Sequence, residues 1–73
     1  MELLMSTTNE NGVTMRLYDG GGTFDDLALE CFKGVVKGAT PIVKHLRDLA
    51  WGSKAAADML ESMESRWPGL RSI

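Results

Sequence analysis

Apolar residues in the middle of the chain recur at helical spacing between positions 24 and 49. They are three, four or seven residues apart, and at about 100° per residue such positions line one face of a helix. Thr23 suits the N-cap of this helix. Pro41 either kinks one helix or separates two, and the unbroken phase of the pattern favours one kinked helix. Its apolar face consists of Phe24, Leu27, Cys31, Val35, Ile42, Leu46 and Leu49.

A second apolar stripe predicts a shorter helix after a break at residues 51–53. Ser53 suits the N-cap, and the helix runs from Lys54 to about Trp67, where Pro68 stops it. A short connection makes two helices antiparallel neighbours. The sequence therefore predicts a mainly α fold, an antiparallel helical hairpin of one long kinked helix and one shorter helix.

The N-terminal part of the chain carries little helical signal. Residues 1–12 are polar and are interpreted as a flexible lead-in, so that 13–73 form a single helical-hairpin domain. Val13, Met15 and Leu17 alternate with polar residues, which is typical of a half-buried strand. One short strand is not stable alone, and we expect it to lie on a helix or to pair with a second chain.

The apolar surface of the long helix is wider than one neighbouring helix could cover. Further apolar positions extend the face to about half of the circumference. A homodimer in a four-helix arrangement would bury both sides, whereas in a monomer the N-terminal segment would have to fold over the surplus. The predicted dimer interface consists of Phe32, Val36, Ala39, Val43 and Ala50.

Charge is distributed unevenly along the chain. Residues 1–30 carry six acidic side chains and one basic one, whereas residues 33–54 carry five basic side chains and one acidic one. Basic residues opposite the apolar face, with a tryptophan beside them, predict a docking strip for an acidic protein, although a merely solvated face is the alternative. The predicted partner-binding residues are Lys33, Lys37, Lys44, Arg47 and Trp51.

The sequence offers few groups for catalysis or for binding a metal. Cys31 and His45 are the only residues of their types, which leaves neither a disulfide nor a credible metal ligand set. On one continuous helix they would lie about 21 Å apart, beyond hydrogen-bond reach. The chain is therefore predicted not to be an enzyme and to hold no cofactor or metal.

One glycine-rich segment resembles a known phosphate-binding turn. Asp19-Gly20-Gly21-Gly22-Thr23 is similar to the turn that approaches the nucleotide in heat-shock chaperone and actin-like ATPases. It lacks the residue that separates the aspartate from the glycines there, and a chain of 73 residues has no room for that fold or its second phosphate loop. The segment is interpreted as a flexible linker between the strand and the long helix.

Composition and hydropathy suggest a compartment. With 44% hydrophobic and 25% charged residues, the chain is typical of a folded domain. No apolar run reaches the roughly 18 residues that a membrane span needs, and no basic region precedes Leu3 and Leu4. A cytoplasmic protein without membrane contact is predicted.

Nucleic acid is the rival partner class. Residues 51–53 could be the turn of a helix-turn-helix in a small regulator or antitoxin. The acidic net charge of −2 opposes this, as do Asp58, Glu61 and Glu64, which would face phosphates. The sequence therefore favours a protein partner over nucleic acid.

In size and layout, residues 13–70 resemble the small inhibitor proteins that bacteriophages make early in infection, in particular the quorum-sensing anti-activators of Pseudomonas phages. Counted from Met5 the chain has 69 residues (73 − 4), which suits that group, but the likeness includes no signature motif and assigns no residue. The resemblance implies a homodimer in the host cytoplasm that binds and inhibits a LuxR-type transcription regulator, a pilus-assembly ATPase, or both.

Overall fold

The chain folds as a four-stranded antiparallel sheet with two helices, an α+β fold. The computed structural model describes residues 2–21, 26–32 and 34–72, and the elements below lie within these ranges. The strands follow one another in the order β1-β2-β3-β4, so each pairs with its neighbour in sequence. The elements are β1 (Glu2–Thr8), β2 (Thr14–Asp19), β3 (Leu27–Cys31), β4 (Gly34–Lys37), α1 (Ala39–Leu49), α2 (Lys54–Arg66) and a 3₁₀ helix (Pro68–Ser72).

The predicted mainly α fold, with its antiparallel helical hairpin, is therefore wrong. The region expected to start the long helix forms β3 and β4, which pair from Ala28↔Lys37 to Cys31↔Gly34. Gly34 has a φ of 128°, a value that L side chains rarely adopt and that does not occur in a right-handed helix. The β3–β4 hairpin therefore takes the place of the first half of the predicted helix, and the helix begins only at α1. Thr23 and Phe24, the predicted N-cap and first apolar position, lie outside the described residues.

Pro41 neither kinks a long helix nor separates two helices. It is the third residue of α1, which begins at Ala39 after Gly38, whose φ is 91°. A proline in the first turn removes no helical hydrogen bond, because the N–H groups there have no acceptor within the helix. The residue therefore helps to start a helix of eleven residues.

Residues 2–8, within the segment interpreted as a flexible lead-in, form the edge strand β1. They pair with β2 from Glu2↔Asp19 to Thr8↔Thr14, with a register shift between Leu3 and Met5. The turn between the strands is held by Asn9, whose Oδ1 accepts hydrogen bonds from the backbone N–H groups of Asn11 (2.9 Å) and Val13 (3.0 Å). The predicted strand at 13–17 thus pairs within its own chain.

The glycine-rich segment connects two strands rather than a strand and a helix. Asp19 pairs with Leu27, and the backbone N–H of Gly20 donates to the carbonyl oxygen of Asp26 at 2.9 Å. The side chain of Asp19 accepts from the N–H of Gly21 at 2.9 Å. The two ends of the segment are therefore tied together at the ends of β2 and β3.

Both helices lie on one face of the sheet. Contacts join α1 to β3 and β4, and join α2 to β1 and to α1. The core between the layers is apolar, and the wide apolar face of α1 is covered by the sheet and by α2 of the same chain. The fully buried large side chains of this core are Leu17, Leu29, Ile42, Val43, Leu46, Met59, Met63 and Leu70.

The second predicted helix is confirmed, together with its N-cap. It runs from Lys54 to Arg66, and the Oγ of Ser53 accepts a hydrogen bond from the backbone N–H of Ala56 at 3.2 Å. The buried side chains of this helix are Ala56, Met59 and Met63.

Replacing Ser53 by Ala is expected to lower the free energy of unfolding by about 1 kcal/mol, because an N–H group of the first helical turn loses its acceptor. Urea unfolding followed by circular dichroism measures the change. Ser62→Ala, on the exposed side of the same helix, is the control. Equal stability of the Ser53→Ala variant and the wild type would contradict a stabilising role of the Ser53 hydrogen bond at the start of α2.

Candidate functional site

An apolar pocket of about 230 Å³ opens at one end of the molecule. It lies where the β1–β2 turn, the end of β3 and the C-terminal half of α1 meet. Most of its wall consists of hydrocarbon and sulfur groups. The lining residues are Asn9, Val13, Met15, Cys31, Phe32, His45, Leu49 and Ser53.

Cys31 and His45 lie together in this pocket. The Cys31 Sγ is 3.9 Å from the His45 Nε2, a distance at which the thiol and the imidazole interact weakly. The expectation that about 21 Å separates them is wrong, because it assumed one continuous helix. Cys31 instead follows Leu27 and Leu29 on the helix-facing side of β3, and α1 folds back across the sheet and places His45 above it.

Large apolar side chains are exposed in the lining of the pocket and in the turn after α1. Phe32, in the β3–β4 turn, is 77% exposed, and Leu49, at the end of α1, is 37% exposed. Trp51 follows two residues later in the turn after α1 and is 95% exposed. We call Phe32, Leu49 and Trp51 the apolar end of the molecule. The pattern of apolar residues did not reveal the apolar end, because Leu49 was placed on a buried helix face and Phe32 on a dimer interface.

The structure brings together part of the predicted basic strip. Lys44 and Arg47 are exposed on the outer side of α1, three residues apart and therefore on one side of the helix. Trp51 follows four residues after Arg47 in the chain, in the turn beyond the end of α1. Lys37 is also exposed but belongs to β4, and Lys33 lies outside the described residues. The strip therefore consists of Lys44 and Arg47, beside the apolar end.

The residues predicted to form a dimer interface are divided between the core and the surface. Ala39 and Val43 are 4% and 0% exposed and pack against their own sheet and helix. Val36 and Ala50 are half-buried, and Phe32 alone of the five is largely exposed. The homodimer stays a prediction, but its original reason, an uncovered face of the long helix, does not hold in this fold.

Among the described residues, no three His, Cys, Asp or Glu side chains are grouped in a way that could hold a metal ion. Neither described helix is long and apolar enough to pass through a membrane. The compartment and the absence of enzymatic activity stay predictions.

Comparison with known proteins gives no family for this chain. No family model matches it, and neither a curated protein nor a solved structure matches it significantly. The resemblance to phage inhibitor proteins rested on size and on an antiparallel helix pair, and it stays a prediction that these comparisons do not test. The apolar end and its surroundings are the features of this fold that bear on function.

Proposed function

We propose that this chain is a small protein-binding protein that docks its partner on the apolar end. The observation that carries the proposal is that exposed Phe32 and Leu49 line one apolar pocket, with the 95% exposed Trp51 two residues after Leu49 in the chain. Among the described residues, five large hydrophobic side chains are exposed, and the apolar end contains three of them. Grouped exposed apolar residues are typical of interaction sites, whereas single ones are normal on any surface.

The types of residue at the apolar end support a protein partner. Tryptophan and phenylalanine offer a large contact area for a small loss of side-chain freedom, and aromatic residues are enriched at interfaces. The pocket beside Phe32 and Leu49 is large enough for one apolar side chain of the partner. The exposed ring of Phe32 in the lining of such a pocket suits an anchor residue that inserts from the partner.

Charge beside the apolar end indicates the sign of the partner surface. Lys44 and Arg47 point outward on α1, so a partner segment that combines an apolar anchor with acidic residues would match both features. Such charges act mainly on the rate of association and on specificity, and salt screens them. The proposal therefore includes an acidic partner whose association slows as salt is raised.

Nucleic acid is less well matched by the same end. The aromatic side chains and the two basic residues could contact a strand, but Asp58 and Glu61 are exposed on α2, which follows directly. These carboxylates would repel phosphates approaching across both helices. A DNA mobility-shift assay at physiological salt is therefore a useful arm of the test.

The test is affinity purification of the full chain from cells of its natural source, followed by measurement of Kd for the purified partner. Trp51→Ala and Phe32→Ala are each expected to weaken binding at least about tenfold, as hot-spot residues do. Leu3→Ala is the matched control, because Leu3 is 51% exposed but belongs to β1 and not to the apolar end.

Two outcomes would overturn the proposal. One is a partner that binds wild type, Trp51→Ala and Phe32→Ala equally well, which would place the interface elsewhere. The other is a DNA shift at physiological salt with no protein retained, which would favour the nucleic-acid reading.

A further inference from the structure

The Cys31–His45 pair lies in the wall of an apolar pocket and is not needed for docking a protein. We propose that this pocket is a covalent binding site, in which the Cys31 thiol adds to a small apolar α,β-unsaturated carbonyl compound with His45 as the base. The inference goes beyond the proposed docking function, because it concerns covalent chemistry with a small molecule. A molecule bound in the pocket would exclude the partner's anchor side chain from it.

The volume of the pocket selects a small ligand. A dry apolar cavity of about 150 Å³ holds one benzene molecule, so about 230 Å³ accommodates one ring with a short substituent. Pockets for drug-sized ligands begin at about 300 Å³. Val13, Met15 and Leu49 in the lining favour an apolar ring or short chain over a polar group.

Cys31 supplies the nucleophile and His45 the base. The Cys31 Sγ lies 3.9 Å from the His45 Nε2, and a small approach of the two side chains brings them within proton-transfer distance. Both side chains are half-buried, so the thiol is reachable through the pocket while its surroundings are mostly apolar. An adjacent base is the usual means by which a cysteine nucleophile is activated.

Among the described residues, the charged side chains near Cys31 and His45 in the sequence lie outside the pocket. Of the residues that the structure describes, Cys31 and His45 are the only titratable ones whose side chains line the pocket. Glu30, next to Cys31, alternates to the opposite face of the sheet, where it forms an ion pair with Arg16 at 3.2 Å. On α1, Lys44, Arg47 and Asp48 are exposed.

The addition balances without another reactant. The Cys31 Sγ forms a bond to the β-carbon of the ligand while its proton passes to His45 Nε2. The electron pair of the carbon–carbon double bond moves towards the carbonyl oxygen and gives an enolate. The proton then returns from His45 to the α-carbon. The product is a thioether that keeps every atom of the thiol and the ligand, and His45 is regenerated.

The test compares phenyl vinyl ketone with methyl vinyl ketone on the full chain. These two compounds share the reactive group and differ in the part that the pocket would hold. Second-order rates are measured by intact mass and divided by the rates with glutathione. For the folded protein the corrected phenyl-to-methyl rate ratio is expected to be about ten, because the pocket buries the ring, and about one in urea, where no pocket exists.

Variants separate the roles of the base and of the pocket. His45→Gln is expected to slow both reagents about a hundredfold, at the lower end of what a positioned base contributes, and to keep the phenyl-to-methyl ratio. Leu49→Ala is expected to reduce the ratio, because it removes part of the pocket wall that holds the ring. Leu3→Ala, outside the pocket, is the control that should match wild type, and circular dichroism verifies the fold of each variant.

A competition experiment needs no variant. Ethyl phenyl ketone has the ring and carbonyl but no double bond, so it is expected to protect Cys31 from methyl vinyl ketone. A corrected ratio of one in the folded protein, or no protection, would overturn the pocket as a ligand site. Equal rates for His45→Gln and wild type would overturn the role of His45.

Discussion

Leu29→Ala is expected to lower the free energy of unfolding by about 2–5 kcal/mol, the usual cost of truncating a fully buried leucine. Leu29 is 0% exposed and pairs with Leu17 on one side and Val36 on the other. Its side chain fills the centre of the core between the sheet and the helices, so its removal leaves a cavity. Urea unfolding of both proteins, followed by circular dichroism, measures the difference.

Val35→Ala is the matched control, and together the two variants distinguish the sheet from a long helix. Val35 is 56% exposed, so its truncation is expected to cost less than about 0.5 kcal/mol. On a continuous helix the order would be reversed, because Val35 would belong to the apolar face and Leu29 would lie about 200° around from Leu27. A larger loss for Val35→Ala than for Leu29→Ala would contradict the fold.

The helical prediction over 24–37 failed because a spacing of four residues does not distinguish a helix from a strand. Residues i and i+4 share a face in both, since four is a multiple of the strand period of two. Leu27 and Cys31 therefore fitted either element. Leu29 was the discriminating position, because its apolar side chain extends the alternation Leu27–Leu29–Cys31. The consecutive β-branched pair Val35–Val36 also favoured a strand.

Glycines at the ends of apolar segments were a second signal for strands rather than a helix. Gly34 and Gly38 bracket β4, which suits strand ends better than a helix interior. Asn11-Gly12 lies between two apolar segments and is a typical hairpin turn. By contrast, α2 was predictable from its sequence. Its apolar residues have helical spacing, and Ser53 and Pro68 mark a helix start and a helix end on either side of them.

The candidate site was only partly predictable. Lys44 and Arg47 follow from helical spacing alone, and the structure places them on one side of α1, with Trp51 in the turn that follows the helix. The pocket could not be predicted in the same way, because it joins residues from the β1–β2 turn, β3 and α1. Its Cys31–His45 contact spans fourteen positions and depends on the path of the chain between them, which the helical prediction misplaced.

Removing residues 1–12 is expected to abolish cooperative unfolding of the chain. The deletion takes away β1, whose half-buried Leu4 and Met5 pack against the core and whose surface covers part of α2. It also leaves β2 as an unpaired edge. Total stability for a chain of this size is about 4–11 kcal/mol, and loss of one of four strands is expected to remove most of it.

The same deletion would have little effect if the segment were a dispensable lead-in, so it tests the role of β1 directly. The control has the full-length chain with Glu2→Ala and Ser6→Ala. Both side chains are exposed, so these changes preserve the backbone pairing of β1 with β2. Urea titration followed by circular dichroism and by tryptophan fluorescence should give one sharp transition for the control and a gradual change for the truncated chain. An unchanged midpoint after truncation would mean that β1 adds nothing to the core, because the remaining three strands and two helices would then be a complete folding unit.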